Sequence, residues 1–160
     1  MRKKEREITD RSEIDAILTK TRTVRVAFAV ENEPYIVPLS HGFDADAGAL
    51  YFHSAVEGRK VDCIEANPRV CFEVEGESTV KEGDDRACSW GLLYESVIGY
   101  GTIRLLEDRE ERERALRCIM RQQSDRDADW SFVDKVLEVT RVWALKIESV
   151  TGKRSGPPPA

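Results

Sequence analysis

Residues 50–60, Leu50-Tyr51-Phe52-His53-Ser54-Ala55-Val56-Glu57-Gly58-Arg59-Lys60, read as a strand running into a helix. Leu50 to Phe52 form a short apolar run of strand character that ends in His53 and Ser54. Ser54 and Glu57 stand three apart, the spacing of a capping box, and predict a helix from about Val56 to Ala66. A helix start offers free backbone N–H groups and the positive end of the dipole. Arg59, Lys60 and the Ser54 hydroxyl would complete a compact place for a phosphate group. The same letters fit a purely structural turn with solvated surface cations, and the local pattern leaves both readings open.

Upstream, Asp10 and Glu13 cap a predicted helix with Ile14, Ile17 and Leu18 at helical spacing. Thr23 to Val30 alternates as a strand, Asn32 and Glu33 make a tight turn, and Pro34 to Leu39 returns as its hairpin partner. Pro38 cannot donate to a ladder, so this second strand lies at an edge or carries a bulge. Asp44 to Gly48 reads as a turn before the third strand, Ala49 to His53. Downstream, Asn67-Pro68 stops the helix, and Arg69 to Glu75 alternates with one buried and one wet face. Gly76 to Ala87 is polar and reads as a long loop or hairpin tip. Tyr94 to Leu106 is a long strand, with Gly99 and Gly101 marking a bend or a close backbone approach. Asp108 and Glu111 cap a helix whose Ala115, Leu116, Ile119 and Met120 share a face. Gln122 to Asp129 reads as a polar linker and Ser131 to Val139 as a short helix. Arg141 to Glu148 is a last strand, with Trp143, Leu145 and Ile147 facing one way.

Six strands and three or four helices, without βαβ alternation, predict a mainly β fold: an antiparallel barrel with flanking helices. A single domain over 1–153 is expected, with 154–160 a disordered tail. At 160 residues, 41% hydrophobic and 34% charged, the chain has material for one core under a heavily charged surface. A net charge of -5 argues against a nucleic-acid partner. Apolar runs fall well short of the roughly 18 residues that cross a membrane, and the N-terminus lacks the apolar segment of a signal peptide, so a cytoplasmic location is expected. The four cysteines include no C-x-x-C pair and read as free thiols, Cys71 and Cys118 as packing residues. With two histidines, His41 and His53, a multi-histidine metal centre is not expected. No Walker loop, Rossmann fingerprint or nucleophile elbow is present.

Taken in order, Val37-Pro38-Leu39, the strand ending in His53-Ser54, Glu57-Gly58-Arg59-Lys60, Asn67-Pro68-Arg69-Val70-Cys71-Phe72, Trp90 and Tyr94-Glu95-Ser96-Val97-Ile98-Gly99-Tyr100-Gly101 resemble one family. It is the FMN-binding split-barrel family related to pyridoxamine 5'-phosphate oxidase, and within it the nitroimidazole-resistance (Nim-like) branch. The resemblance runs from about Arg2 to Lys153 and rests on order and spacing rather than on one motif. It implies a homodimer of six-stranded split barrels with FMN in the subunit interface. By the same resemblance, Gly58, Arg59 and Lys60 hold the FMN phosphate. Val37, Pro38, Leu39 and Ser40 run beside the flavin ring, and His53 and Ser54 face the ribityl and phosphate. Trp90 and Ser96 approach from the partner subunit.

The implied activity is an FMN-dependent oxidoreductase that reduces a small organic acceptor, nitroaromatics among the candidates. The alternatives are a non-catalytic flavin-binding or storage protein, and a split barrel that uses a deazaflavin or haem. True pyridoxamine-phosphate oxidases end in an Arg-rich strand that grips substrate phosphate. Here the ending is Val142-Trp143-Ala144-Leu145-Lys146-Ile147-Glu148, so vitamin B6 oxidation is not expected. His53 is the candidate catalytic residue, or else a strand-end histidine bonded to backbone. His41 is a weaker candidate for the same chemistry. Trp90 fits a lid or interface, Tyr94 a ligand contact or dimer packing, and Trp143 the core.

Overall fold

A computed structural model describes residues 3–124, 126 and 128–157. Strand β1 (Glu7–Ile8) precedes helix α1 (Arg11–Lys20), which Asp10 caps by accepting from the Ser12 N–H at 2.8 Å. Strands β2 (Thr23–Val30) and β3 (Glu33–Ser40) form the expected hairpin. Its turn is Glu31-Asn32, one residue earlier than predicted. Both residues take positive φ, 51° and 65°, as a two-residue hairpin turn requires. Strand β4 (Gly42–Asp44), unforeseen, leads through a turn to β5 (Ala49–Ala55). Helix α2 (Arg59–Ala66) follows, then β6 (Arg69–Lys81), β7 (Gly91–Leu105), α3 (Arg109–Ser124), α4 (Asp134–Glu138) and β8 (Thr140–Ser155).

All strand pairs are antiparallel, in the order β3-β2-β6-β7-β8-β5-β4, with β1 on β8. The two ends of the order curl together, so that β3 and β5 touch. The six predicted strands are the six long ones, and the class is the expected split barrel with flanking helices. Pro38 sits on β3, an edge strand paired with β2 alone.

Four expectations need correction. The polar stretch after Glu75 continues as strand to Lys81 across an irregularity between Glu75 and Ser78, because β7 supplies a ladder partner. Helix α3 runs through Ser124, so Gln122 and Gln123 are its last turn rather than a linker. The short helix after Ser131 covers only Asp134–Glu138. Finally, β8 extends through Ser155: Lys153 pairs with Glu7, and Arg154 binds Glu13 and Glu95, so residues 154 and 155 belong to the sheet and not to a tail. The expected disorder of 158–160 lies outside the described residues.

Two apolar clusters follow from strand alternation. Phe28, Leu50, Phe52, Phe72, Trp143 and Leu145 fill the barrel interior with Ile14, Ile17 and Leu18 of α1. On the opposite face of β8, Val142 and Ala144 pack with Leu116 and Ile119 of α3 and Leu137 of α4. Full burial of one such side chain stabilises by about 1.5–3 kcal/mol. Gly99 and Gly101 are close approaches, as expected: a Cβ would strike the Phe72 ring at Gly99 and the Lys146 carbonyl at Gly101. The four cysteines are free. Burial pushes the Cys118 thiol up to about 11.

Candidate functional site

The predicted cradle is assembled differently from the sequence expectation. Helix α2 begins at Arg59, not Val56, and its N-cap is Gly58, with no side-chain cap. The Ser54–Glu57 capping box does not form, because Ser54 still lies in β5. Its hydroxyl accepts from Trp143 Nε1 at 2.9 Å and donates to the Ala55 carbonyl at 2.7 Å. Ser54 therefore ties β5 to β8 instead of reaching the helix start. Gly58 has φ 126° and ψ 164°, a region essentially reserved for glycine. Its carbonyl takes the N–H groups of Val61 and Asp62. The N–H groups of Arg59 and Lys60, at the start of the helix, have no capping side chain.

Two cations flank this uncapped start. The Arg59 guanidinium lies 4.4 Å over the Tyr35 ring, which stacks on Phe28 at 5.9 Å. This ladder fixes Arg59 beside edge strand β3. Lys60 is half-buried, and desolvation lowers its pKa. Neither cation has a carboxylate partner among the described residues, in a chain with an excess of acids. By contrast Arg141, one strand away, is held by Glu65 of α2 at 2.7 Å. A half-buried ammonium without a counter-ion favours an anionic ligand.

His53 sits on β5 opposite Val142, on the face turned toward α3 and α4. Desolvation first, then the charge of Lys60, hold its pKa below the usual imidazole range. It is an exposed imidazole within electrostatic reach of Lys60. His41 is different: it is fully buried between α1 and α3. Gln122 gives its amide hydrogens to the carbonyls of Leu18, at 2.9 Å, and Thr21. His41 Nε2 lies 3.3 Å from Leu18 O and 3.0 Å from Gln122 Nε2, and among the described residues Nδ1 has no hydrogen-bond partner. Burial depresses its pKa to about 4. His41 is a core residue and does not reach the cradle.

Of the β3 residues, Leu39 is buried and Val37 half-buried toward the barrel interior, while Pro38 and Ser40 face out. What β3 can offer a flat ligand is its unpaired backbone edge. Trp90 is half exposed and its indole N–H donates to Asp84 O at 2.8 Å. Ser96 pairs with Glu75 and Lys153. Ser96 stands nine residues along β7 from Leu105, the neighbour of Trp143. That is about 30 Å at strand rise. One chain therefore brings together β3, His53, Gly58, Arg59 and Lys60, and leaves Trp90 and Ser96 apart. Tyr35, which orients Arg59, was missed in the sequence. Its only signal was its place opposite Phe28 in the hairpin. Among the described residues no helix is long and apolar enough to cross a membrane.

The family model described as pyridoxamine 5'-phosphate oxidase matches residues 10–154. Among solved structures, a candidate 5-nitroimidazole antibiotic resistance protein from Bacteroides thetaiotaomicron is 28% identical. The match covers 92% of this chain and 86% of that one, with a TM-score of 0.81. The flavocytochrome Anf3 from Azotobacter vinelandii is 20% identical over 100% of this chain and 74% of that one, with a TM-score of 0.81. An FAD and haem binding protein from Mycobacterium smegmatis is 19% identical over 97% and 76%, with a TM-score of 0.78. The last two show likeness of fold. No curated protein matches the chain.

Proposed function

The chain belongs to the pyridoxamine 5'-phosphate oxidase family, and on that footing we propose that it binds FMN between two copies of itself and reduces a small organic acceptor, nitroaromatics included. The observation that carries this reading is the pair of cations, Arg59 and Lys60, without carboxylate partners at an uncapped helix start. A terminal phosphate monoester is close to a dianion at neutral pH, and two cations plus free N–H groups match it in charge and donors. That match favours FMN. Arg59 supplies the planar fork, Lys60 the point charge, and Gly58 the turn that exposes the N–H groups. The edge backbone of Val37 to Ser40 serves the ring, and neutral His53 stands beside it as a hydrogen-bonding group. When bound, the flavin supplies the electron transfer.

A second copy is part of the reading. The outward row Ile36, Ala27, Cys71, Tyr100 and Ser149 crosses β3, β2, β6, β7 and β8 in register. Ile36 and Tyr100 in that row, and Ile98 beside it, are exposed apolar side chains on the barrel's outer face. Pairing through this face would let Trp90 and Ser96 of one copy approach the cradle of the other. The test is to titrate FMN, FAD and a deazaflavin against the purified protein. The loaded protein is then reduced anaerobically with NADH or NADPH and mixed with a nitroaromatic. FMN binding, reduction and reoxidation by the acceptor are expected. Tight deazaflavin binding without FMN binding would overturn the cofactor assignment. Bound flavin that is never reduced would leave a binding protein without turnover.

A further inference from the structure

Beside His53 lies a cleft of about 330 Å³ between α3, α4 and the segment before α4. Its walls are mainly apolar: Met120 from α3, Phe132 and Val133 from the segment before α4, and Val136 and Leu137 from α4. Among the described residues no aspartate, glutamate, lysine or arginine lines it, in a chain that is 34% charged. Two arginines of α3 near it are turned to other tasks. Arg112 donates to the carbonyls of Leu137 and of Thr140, the latter at 2.9 Å, and so pins the end of α4 to the α3 side of the cleft. Arg117 stacks on the Phe132 ring at 5.6 Å and binds Glu113 at 3.2 Å. The Thr140 hydroxyl is spent on Val136 O at 2.7 Å. His53 and the Ser131 hydroxyl are left as the polar groups of the cleft.

Helix α4 is a single short turn with no side-chain cap. Such a helix is not stable by itself. It is held by Leu137, buried in the second cluster, and by Arg112, while Val133 and Val136 stay 66% and 58% exposed at the cleft rim. An apolar rim, uncharged walls, one imidazole and one serine hydroxyl define the ligand chemistry. A charged ligand would lose its hydration against walls that carry no charged side chain among the described residues. The volume lies at the small end of ligand pockets. We propose that this cleft binds an uncharged, largely apolar small molecule whose one polar group meets His53. The cleft shares only His53 with the flavin cradle, and its occupancy does not require flavin.

N-phenyl-1-naphthylamine is the neutral probe, and 1-anilinonaphthalene-8-sulfonate carries the same aromatic frame with a charge. Fluorescence titration of the flavin-free chain should show the neutral probe binding at least tenfold more tightly. Val136→Asp places a carboxylate on the rim at an exposed position and should weaken the neutral probe about tenfold. Val139→Asp, on an equally exposed valine outside the cleft lining, should leave it within twofold. FMN affinity should be the same in both variants. Equal binding of the two probes, or equal loss in the two variants, would overturn the proposal. So would a dimer in light scattering that Val136→Asp alone splits, because a second copy would then be the occupant. Intact probe binding in a chain that fails to bind FMN would uphold the cleft and sink the flavin reading.

Discussion

His41 makes the stability of this fold depend on pH in a calculable way. Its imidazole is fully buried, and burial lowers its pKa from 6.5 to about 4. In the unfolded chain the group takes up a proton near pH 6.5, and in the native state only near pH 4. Between those values the unfolded state binds more protons, so stability rises with pH and is lost on acidification. The contribution is complete above about pH 6.5 and declines by up to 1.4 kcal/mol per pH unit below it, reaching a loss of about 3 kcal/mol at pH 4. Exposed carboxylates titrate in part of the same window, so the comparison must be internal. His41→Gln keeps a donor for Leu18 O and removes the titration. Urea unfolding at pH 7, 6, 5 and 4 should show the original chain losing about 3 kcal/mol more than the variant. Parallel loss in both proteins would refute the assignment of His41 as a buried neutral base.

Three further outcomes follow from local geometry. Gly58→Ala has room for its methyl but not for its backbone, since φ is 126°; a cost of roughly 1–3 kcal/mol in thermal or urea unfolding is expected, with weaker FMN binding by fluorescence quenching. Tyr35→Leu removes the platform under Arg59 and should weaken FMN by about 0.5–1 kcal/mol while the barrel still folds by circular dichroism. Replacing Glu31-Asn32 by Asn-Gly relieves two positive-φ positions and should stabilise by about 0.5–1 kcal/mol in the same unfolding assay.

The fold was largely legible because strand alternation is strong where one face is buried. Val24, Val26 and Phe28 are buried and mark β2, and Val70, Phe72 and Val74 do the same for β6. Legibility failed where the ladder rather than the side chains makes the strand. Glu77 to Lys81 is polar and exposed, yet it is strand because β7 lies beside it. Arg154 gave no sign that it belongs to the sheet, because its partners Glu13 and Glu95 are distant in sequence. At the candidate site, Arg59 and Lys60 were readable as cations after a strand. That Ser54 does not cap the helix was not readable, since the competing indole of Trp143 sits 89 residues away. Residues 50–60 carried no sign of the apolar cleft beyond His53, which is built from side chains 63 or more positions later in the chain.

The most direct test of the phosphate cradle is an FMN titration of Arg59→Ala with Lys60→Ala against the original chain, followed by flavin fluorescence, with circular dichroism to confirm folding. Loss of two charge-assisted anchors should weaken FMN by roughly 2–5 kcal/mol, with the barrel intact. A folded double variant that binds FMN as tightly as the original chain would contradict the assignment.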